Sequence, residues 1–228
     1  MENKEQPFNR LLDIVGKYVS MEDYVYTVLN KRYAVVLQKC PNYDQEMVSA
    51  CSEFDLQIKE IDMRALRVVN KLVVVKIVDL EDLDELVLRV TVKSNHPEEN
   101  TTYILGQILK ATECYRYHTG CKGCICHYIN LETAYHNDAK VPENFTGTWK
   151  TWYIGGRQRT KCEYLNGKLN GPSLTYYDYN DLWKEEHYKN GVLHGAFKAY
   201  HMDGSISREG EYNDGVEVSC RYSPGPLF

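Results

Sequence analysis

The chain has 228 residues, 43% of them apolar, which is enough for one large or two small globular domains and does not suit a disordered protein. Its net charge of -5 and pI near 5.8 argue against nucleic-acid binding, because affinity for phosphate backbones requires clustered Lys and Arg. The N-terminus does not resemble a secretory signal, and no stretch approaches the roughly 20 apolar residues of a spanning helix, so we expect an intracellular protein.

Residues 1–40 are predicted to form a helical hairpin. Apolar residues recur at helical spacing after Pro7, and Ser20-Met-Glu-Asp23 is similar to a capping box that begins a second helix. The second helix would present an apolar face formed by Tyr24, Val25, Val28, Leu29 and Val36. A short hairpin with so much apolar surface is expected to pack against a partner or against the rest of the chain.

The stretch from Pro7 to Tyr33 resembles an F-box. Its spaced aliphatic residues lead to Asp23-Tyr24 and then to the basic pair Lys31-Arg32 before Tyr33, although Pro7 precedes Phe8 instead of following a leucine. The resemblance implies a face that docks on the Skp-type adaptor of a cullin ubiquitin ligase. That face would consist of Leu11, Leu12, Val15, Val19 and Tyr24. The alternative is that the same residues cap the sheet that follows.

Residues 41–116 are predicted to be a mixed connector with strands near 72–78, 86–92 and 101–109. The first two are β-branched runs, and the acidic segment 79–85 separates them.

A cysteine cluster is the one constellation with metal-ligand chemistry. Its members are Cys114, Cys121, Cys124, Cys126 and His127. Cys121-Lys-Gly-Cys124 is a common half of a zinc site, but a second half is missing, and strand alternation would turn His127 away from Cys126. We therefore favour thiols that pack as small apolar groups, with no cofactor, and keep zinc as a minority hypothesis.

The second half of the chain repeats itself every 24 residues. Tyr164-Leu-Asn-Gly167, Tyr188-Lys-Asn-Gly191 and Tyr212-Asn-Asp-Gly215 are in phase, and an aromatic residue follows a glycine by five positions in each unit, as in Gly147 to Trp152. The Asn-Gly and Asp-Gly pairs favour tight primed turns, and Gly155-Gly156, Tyr179-Asn180 and Asp203-Gly204 supply turns at the opposite strand ends. The pattern predicts an up-and-down meander of β-hairpins.

This repeat resembles the MORN repeat, in a longer variety. We assign it to residues 117–218, with a degenerate first copy at Tyr117–Tyr128 and a tail at 219–228. The resemblance implies an elongated, antiparallel, single-layer sheet that acts as a scaffold, a dimerisation surface or a binding platform. The expected fold class is therefore mainly β, with an N-terminal helical hairpin followed by this meander.

The repeated aromatic residues are the best candidates for a binding face. They are Trp152, Tyr164, Tyr176, Tyr188, Tyr200 and Tyr212. Arg157, Arg159 and Lys161 are expected to share a strand face and to meet anionic lipid or a partner carboxylate, but at about 1 kcal/mol per charge they are too few for membrane anchoring.

The expected function is a non-enzymatic protein-interaction scaffold. His187, His194 and His201 are evenly spaced, but no recurring nucleophile or carboxylate accompanies them, so we interpret them as surface residues. The F-box resemblance would make the chain a substrate-recruiting ligase subunit whose sheet binds the client. The alternative is a structural protein associated with a virus particle, because the chain resembles F-box and MORN proteins of large DNA viruses of amoebae. In both cases the partners are proteins, with self-association through the sheet as a further expectation, and the location is the host cytoplasm or the particle.

Overall fold

The structure is a computed structural model that describes residues 7–19, 21–40, 67–69, 71–93, 100–110, 115–117, 120–122 and 125–223. The protein is mainly β with antiparallel sheets, which confirms the predicted fold class at this level. The chain divides into two compact units. Unit 1 comprises residues 1–140 and 154–156, and unit 2 comprises residues 141–153 and 157–228.

Unit 1 combines two helices with short sheets. Its elements are α1 (Pro7–Val19), β1 (Tyr24–Leu29), β2 (Tyr33–Lys39), β3 (Arg67–Val69), β4 (Lys71–Asp79), β5 (Arg89–Val92), β6 (Thr101–Ile104), β7 (Ile108–Lys110), β8 (Tyr115–Tyr117), β9 (Gly120–Lys122), β10 (Ile125–His127) and α2 (Leu131–Asp138). The main sheet has the order β1-β2-β4-β7, and β5–β6, β8–β9 and β3–β10 form separate pairs.

The predicted second helix is wrong, because residues 24–39 form the hairpin β1–β2. Tyr24 pairs with Gln38 and Leu29 with Tyr33, and Asn30 and Lys31 make the turn with φ of 53° and 59°. Both strands are rich in β-branched residues and are buried on both faces, which gives a continuous apolar run. Such a run does not distinguish a strand from a buried helix by its periodicity.

The main sheet of unit 1 is buried on both faces. Alternate residues such as Val25, Val35 and Leu37 join a core with Val90 and Tyr103 of the β5–β6 hairpin. The remaining alternate residues, among them Tyr26, face the helices, because the Tyr26 hydroxyl donates a hydrogen bond to the Tyr18 carbonyl oxygen of α1 at 3.0 Å. Helix α2 packs on β1, and its N-cap Asn130 accepts a hydrogen bond from the Thr133 N–H.

Unit 2 is an antiparallel meander. Its strands are β11 (Gly147–Trp152), β12 (Gln158–Leu165), β13 (Lys168–Tyr176), β14 (Leu182–Lys189), β15 (Val192–Leu193), β16 (Gly195–Tyr200), β17 (Ile206–Asn213) and β18 (Val216–Tyr222). They form one eight-stranded sheet in the order β11-β12-β13-β14-β16-β17-β18, with β15 also on β14.

The structure moves both predicted ends of the repeat sheet. The residues of the degenerate copy lie in β8, β9 and β10, which pair outside this sheet, so the sheet begins at Gly147 instead of residue 117. Helix α2 follows them, where no helix was predicted. At the other end β18 continues to Tyr222, beyond the predicted limit at Val218, because the first proline after Val218 is Pro224.

The connector strands also differ in length from the prediction. The run 72–78 lies in β4, whereas the run 86–92 contributes only Arg89–Val92, with Leu86 and Leu88 exposed. The stretch 101–109 is divided into β6 and β7 by a turn at Gly106, whose φ is 79°.

Candidate interaction surface

The tight turns of unit 2 join each hairpin to the preceding one through hydrogen bonds, which we call locks. The N–H groups of Gly167, Gly191 and Gly215 donate to carbonyl oxygens 22 residues earlier, at Phe145, Leu169 and Leu193, over 2.8, 2.7 and 2.8 Å. The first turn residues, Asn166, Asn190 and Asp214, have φ of 49°, 51° and 45°, as the predicted primed turns require. The backbone itself therefore carries the 24-residue period.

A side chain adds a second lock at every turn. The N–H groups of Asn166 and Asn190 donate to acceptors 20 residues earlier, Thr146 Oγ1 at 3.0 Å and Asn170 Oδ1 at 3.1 Å. In the third unit His194 Nδ1 lies 3.1 Å from Asp214 Oδ1 and 3.3 Å from the Asp214 backbone nitrogen, so the same two positions are joined there. Each such hydrogen bond contributes about 1 kcal/mol. Sequence comparison missed this position because three different residue types fill it, and the equivalent residue in β18 is Val218.

The opposite ends of the strands are locked by tyrosine hydroxyls. Tyr153 donates to the carbonyl oxygen of Tyr176 at 2.6 Å, and Tyr177 donates to that of Tyr200 at 2.9 Å. In the third unit His201 takes this place, with Nε2 3.5 Å from the carbonyl oxygen of Ser223. His194 and His201 were interpreted as surface residues, but the structure makes both part of the contact between repeats.

The predicted single aromatic face is wrong, because the six rings divide between the two faces of the sheet. Tyr164, Tyr188 and Tyr212 lie directly opposite Gly147, Gly171 and Gly195, and so share a face with Trp149. The other three, Trp152, Tyr176 and Tyr200, stand at an odd offset from those glycines. Strand alternation therefore directs them to the opposite face. The sequence did not show this because the cross-strand register that sets Tyr164 opposite Gly147 was unknown.

The first face, which carries Trp149, is packed and partly polar. Trp149 and Phe197 are buried, and the Phe197 ring lies 5.0 Å from the Tyr212 ring and 5.0 Å from the Arg208 guanidinium. Ser173 takes the equivalent position in the middle repeat, with its hydroxyl 3.2 Å from the Cys162 thiol.

Burial, helped by the neighbouring Glu186 carboxylate, raises the pKa of Tyr188 on this face to about 12. The hydroxyl therefore stays protonated and donates to Glu186 Oε2 at 3.3 Å. Such mutually satisfied groups are typical of a surface that supports the fold.

The second face, which carries Trp152, Tyr176 and Tyr200, has three regular β-bulges. Pairing skips Arg159, Trp183 and Ser207, each of which stands between two paired residues of its strand. A bulge redirects the side chain of its extra residue. Arg159 lies over the Tyr153 ring at 5.8 Å, and Trp183 lies 5.9 Å from the Tyr177 ring, so the same relation recurs in two successive repeats.

The predicted adaptor-binding residues do not form an exposed face. Leu11 and Val15 are fully buried, Leu12 and Tyr24 are half-buried, and Val19 alone is largely exposed. Exposing Leu11 and Val15 would cost roughly 1.5–3 kcal/mol each, a large share of the stability of a typical domain. The burial and the strand conformation of residues 24–39 both speak against the docking face predicted from the F-box resemblance.

The zinc hypothesis is tested only in part. The side chains of Cys114, Cys121 and Cys124 lie outside the described residues, whereas Cys126 is half-buried and His127 is fully buried in β10. Among the residues that the structure describes, no three His, Cys, Asp or Glu side chains are grouped to hold a metal ion.

A scan against protein-family models finds no match, and a search of curated proteins finds no significantly similar sequence. The MORN and F-box resemblances therefore rest on the residues of this chain alone. In the described part of the chain, neither helix has the length and apolar character needed to cross a membrane.

Proposed function

We propose that this protein is a non-enzymatic interaction scaffold whose repeat sheet holds a protein partner. The observation that carries the proposal is the regular locking of unit 2. Backbone and side-chain hydrogen bonds recur every 24 residues and stabilise the sheet from within, which supports its assignment as a MORN-like array. Side chains that these locks do not use remain available for binding.

Exposed apolar side chains on unit 2 also favour a binding role. Trp183, Val192, Met202 and Val216 are each at least 43% exposed. Exposed apolar residues of this size, set among charged ones, are typical of protein-contact surfaces. A role as a cullin-ligase subunit is not part of this proposal, because two of the five residues that would bind the adaptor, Leu11 and Val15, are fully buried.

Site-specific photo-crosslinking of the full chain tests the proposal. A benzoylphenylalanine placed at Val192, Met202 or Val216 is expected to capture the same small set of proteins in a eukaryotic lysate. The same group at Leu86, which is exposed on unit 1, is the matched control and should not capture that set.

Failure of all three sheet positions to capture a protein above the Leu86 background would contradict the scaffold role. A crosslinker at exposed Val19 tests the ligase hypothesis separately. Recovery of a Skp-type adaptor from the crosslinker at Val19 would support the ligase hypothesis.

A further inference from the structure

We propose that Arg157 and the cations of strand β12, Arg159 and Lys161, together with the ring cluster around Trp183, bind an acidic extended segment of a partner protein. This inference rests on the proposed scaffold function and names the chemistry of the partner. Four properties of the sheet of unit 2 support it, namely cations without carboxylate partners, opposed lysines, exposed rings and the spacing between them.

The first property is a group of cations without carboxylate partners. In the described part of the chain, Arg157, Arg159 and Lys161 form no ion pair, although the protein has 32 acidic residues and a net charge of -5. Elsewhere in the same sheet Lys184 lies 2.7 Å from Glu186, and Arg221 lies 3.9 Å from Glu209. Positive charge therefore exceeds negative charge along β12, whose one carboxylate, Glu163, accepts a hydrogen bond from Thr148 Oγ1 at 2.6 Å. Arg157, just before the strand, donates to the Asp178 carbonyl oxygen at 2.7 Å and so points towards the turn that carries the rings.

The second property is the charge order across the sheet. Residues directly opposite one another form the row Lys150, Lys161, Leu174, Glu185, Lys198, Glu209 and Arg221. From Glu185 onward the signs alternate, as cross-strand pairing favours, but the row begins with two lysines face to face. Carboxylates occur in this row only from Glu185 onward, so an acidic group of a partner would meet positive charge at its other end.

The third property is an exposed ring cluster. Tyr177 and Tyr179 are stacked with centroids 5.1 Å apart and planes 8° apart, and Trp183 leans on Tyr177. Tyr179 and Trp183 remain 42% and 43% exposed. Large rings held by neighbours yet open to solvent are the residue types that anchor protein interfaces.

The fourth property is the distance between the two groups. Arg159 and Trp183 occupy equivalent bulges on β12 and β14, two strands apart, and are thus separated by about 10 Å across the sheet. Three residues of a polyproline II segment span about 9 Å and return the side chain to the same side of the segment, whereas a β-strand would turn it to the opposite side. The geometry therefore fits a segment with an acidic residue on Arg159 and an aromatic residue or proline three positions away, on Trp183.

An anionic membrane fits these observations less well. Three cations are too few to hold a protein stably at a lipid surface. Exposed Asp178 and Asp181 occupy the turn beside the rings, where they would repel anionic head groups. A peptide can place its carboxylates on β12 and its apolar residue near the aspartates.

Fluorescence anisotropy on the full chain tests the proposal with synthetic dodecapeptides. The probe carries two glutamates and, three residues later, a tryptophan. A second peptide replaces that tryptophan with alanine, and a third replaces the glutamates with lysines. The probe is expected to bind in a salt-sensitive way, the alanine peptide roughly tenfold more weakly, and the lysine peptide not at all.

Variants of the protein locate the site. The triple variant Arg157→Gln/Arg159→Gln/Lys161→Gln and the single variant Trp183→Ala should each weaken probe binding roughly tenfold. Arg221→Gln is the matched control, because it removes an exposed cation from the paired end of the same face, and its affinity should stay within about twofold of wild type.

Absence of binding at millimolar probe, equal binding of the lysine peptide, or unchanged affinity of the triple variant would each overturn the proposal. Binding to phosphatidylserine vesicles without binding to the probe would assign the strand to membranes and overturn it as well. These failures remain distinct from failure of the scaffold function, since crosslinks from Val192 or Met202 would still report a protein partner elsewhere on the sheet.

Discussion

Gly210 in β17 lies where the sheet leaves no room for a side chain. A Cβ at this position would stand 2.1 Å from the Ser219 carbonyl oxygen and 2.7 Å from Phe197 Cε1. Gly210→Ala is therefore expected to lower the free energy of unfolding of unit 2 by about 2–3 kcal/mol through overpacking. Tryptophan fluorescence in a urea titration measures this directly, because all three tryptophans, Trp149, Trp152 and Trp183, belong to unit 2.

Gly204→Asn is the matched control for this variant. Gly204 has φ of 80° with open space around it, and Asn180 occupies the same turn position of the preceding repeat with φ of 78°. The substitution should change the unfolding free energy by less than about 0.5 kcal/mol. If the urea unfolding midpoint of Gly210→Ala equals that of wild type, the prediction is wrong and the sheet accommodates a Cβ at this position.

Asp138 makes unit 1 sensitive to pH. Burial raises the pKa of this carboxyl to about 6, although the Tyr128 hydroxyl that hydrogen-bonds to it opposes the shift. Because the pKa in the folded state lies above the ordinary value of 3.8, the stabilisation is present below about pH 4 and is lost as pH rises through 6. At pH 7 the buried carboxylate is ionised and destabilises the unit.

Asp138→Asn is expected to raise the stability of unit 1 at pH 7 by about 1–2 kcal/mol and to flatten its pH dependence between pH 4 and 7. Hydrogen exchange of the β1 and α2 amides, followed by mass spectrometry, measures the change. Glu132→Gln alters an exposed carboxylate on the same helix and should change protection little. A slope with pH that survives in Asp138→Asn would assign the dependence to another group.

The residues that lock the repeats could be predicted from sequence only in part. The Asn-Gly and Asp-Gly turns were predictable, because few other residues adopt positive φ at both central positions. The hydrogen-bonding roles of Thr146, Asn170 and His194 were not, since a hydrogen bond requires a polar atom in place and not a particular residue type.

Among the elements of the fold, the first two repeats each depend on one tyrosine hydroxyl at the end of the hairpin, Tyr153 or Tyr177. Tyr177→Phe removes the bond to the Tyr200 carbonyl oxygen without changing the ring, so we expect a loss of about 1 kcal/mol in unfolding free energy. Tyr179→Phe removes a neighbouring hydroxyl whose ring is stacked on Tyr177 but which does not join two repeats, and should cost less than about 0.5 kcal/mol. Equal losses in the two variants, measured by urea titration, would contradict a specific role for the lock.

The hairpin β1–β2 shows what the sequence could not determine at the level of elements. Its apolar residues satisfy both a helical and a strand interpretation, because the core of unit 1 covers both faces of the sheet. The repeat strands are different. They show partial alternation and are bounded by strong turn residues, so their positions could be predicted while the faces that their rings occupy could not.

At the scale of the whole molecule, unit 2 should accept an additional repeat. Inserting a second copy of residues 171–194 after His194 reproduces every lock in phase, since each lock joins only neighbouring units. The insertion adds one hairpin to the eight strands, so the urea m-value of the tryptophan transition should rise by roughly a quarter.

Insertion of residues 171–182 alone is the control, because half a unit reverses the strand direction and places the locks out of phase. It should lower the unfolding midpoint. A full-repeat variant with an unchanged m-value would indicate that the extra hairpin does not join the sheet.

The division of the chain into units was only partly predictable. The 24-residue period identifies the repeats that share it, so the repeat sheet from Gly147 onward could be predicted from the sequence. The degenerate copy at Tyr117–Tyr128 shared glycines and tyrosines with that period, but its strands found other partners, because β10 pairs with β3 far away in sequence. Long-range pairing of this kind leaves no local signal.

The three bulges also bear on how such a surface can change over time. Arg159, Trp183 and Ser207 are skipped by the cross-strand pairing, so a substitution there alters what a repeat displays with little effect on the pairing that holds it. A mutation at such a position is therefore expected to change the stability of the sheet little. The same repeat sheet can therefore acquire new binding preferences through substitutions in one repeat at a time.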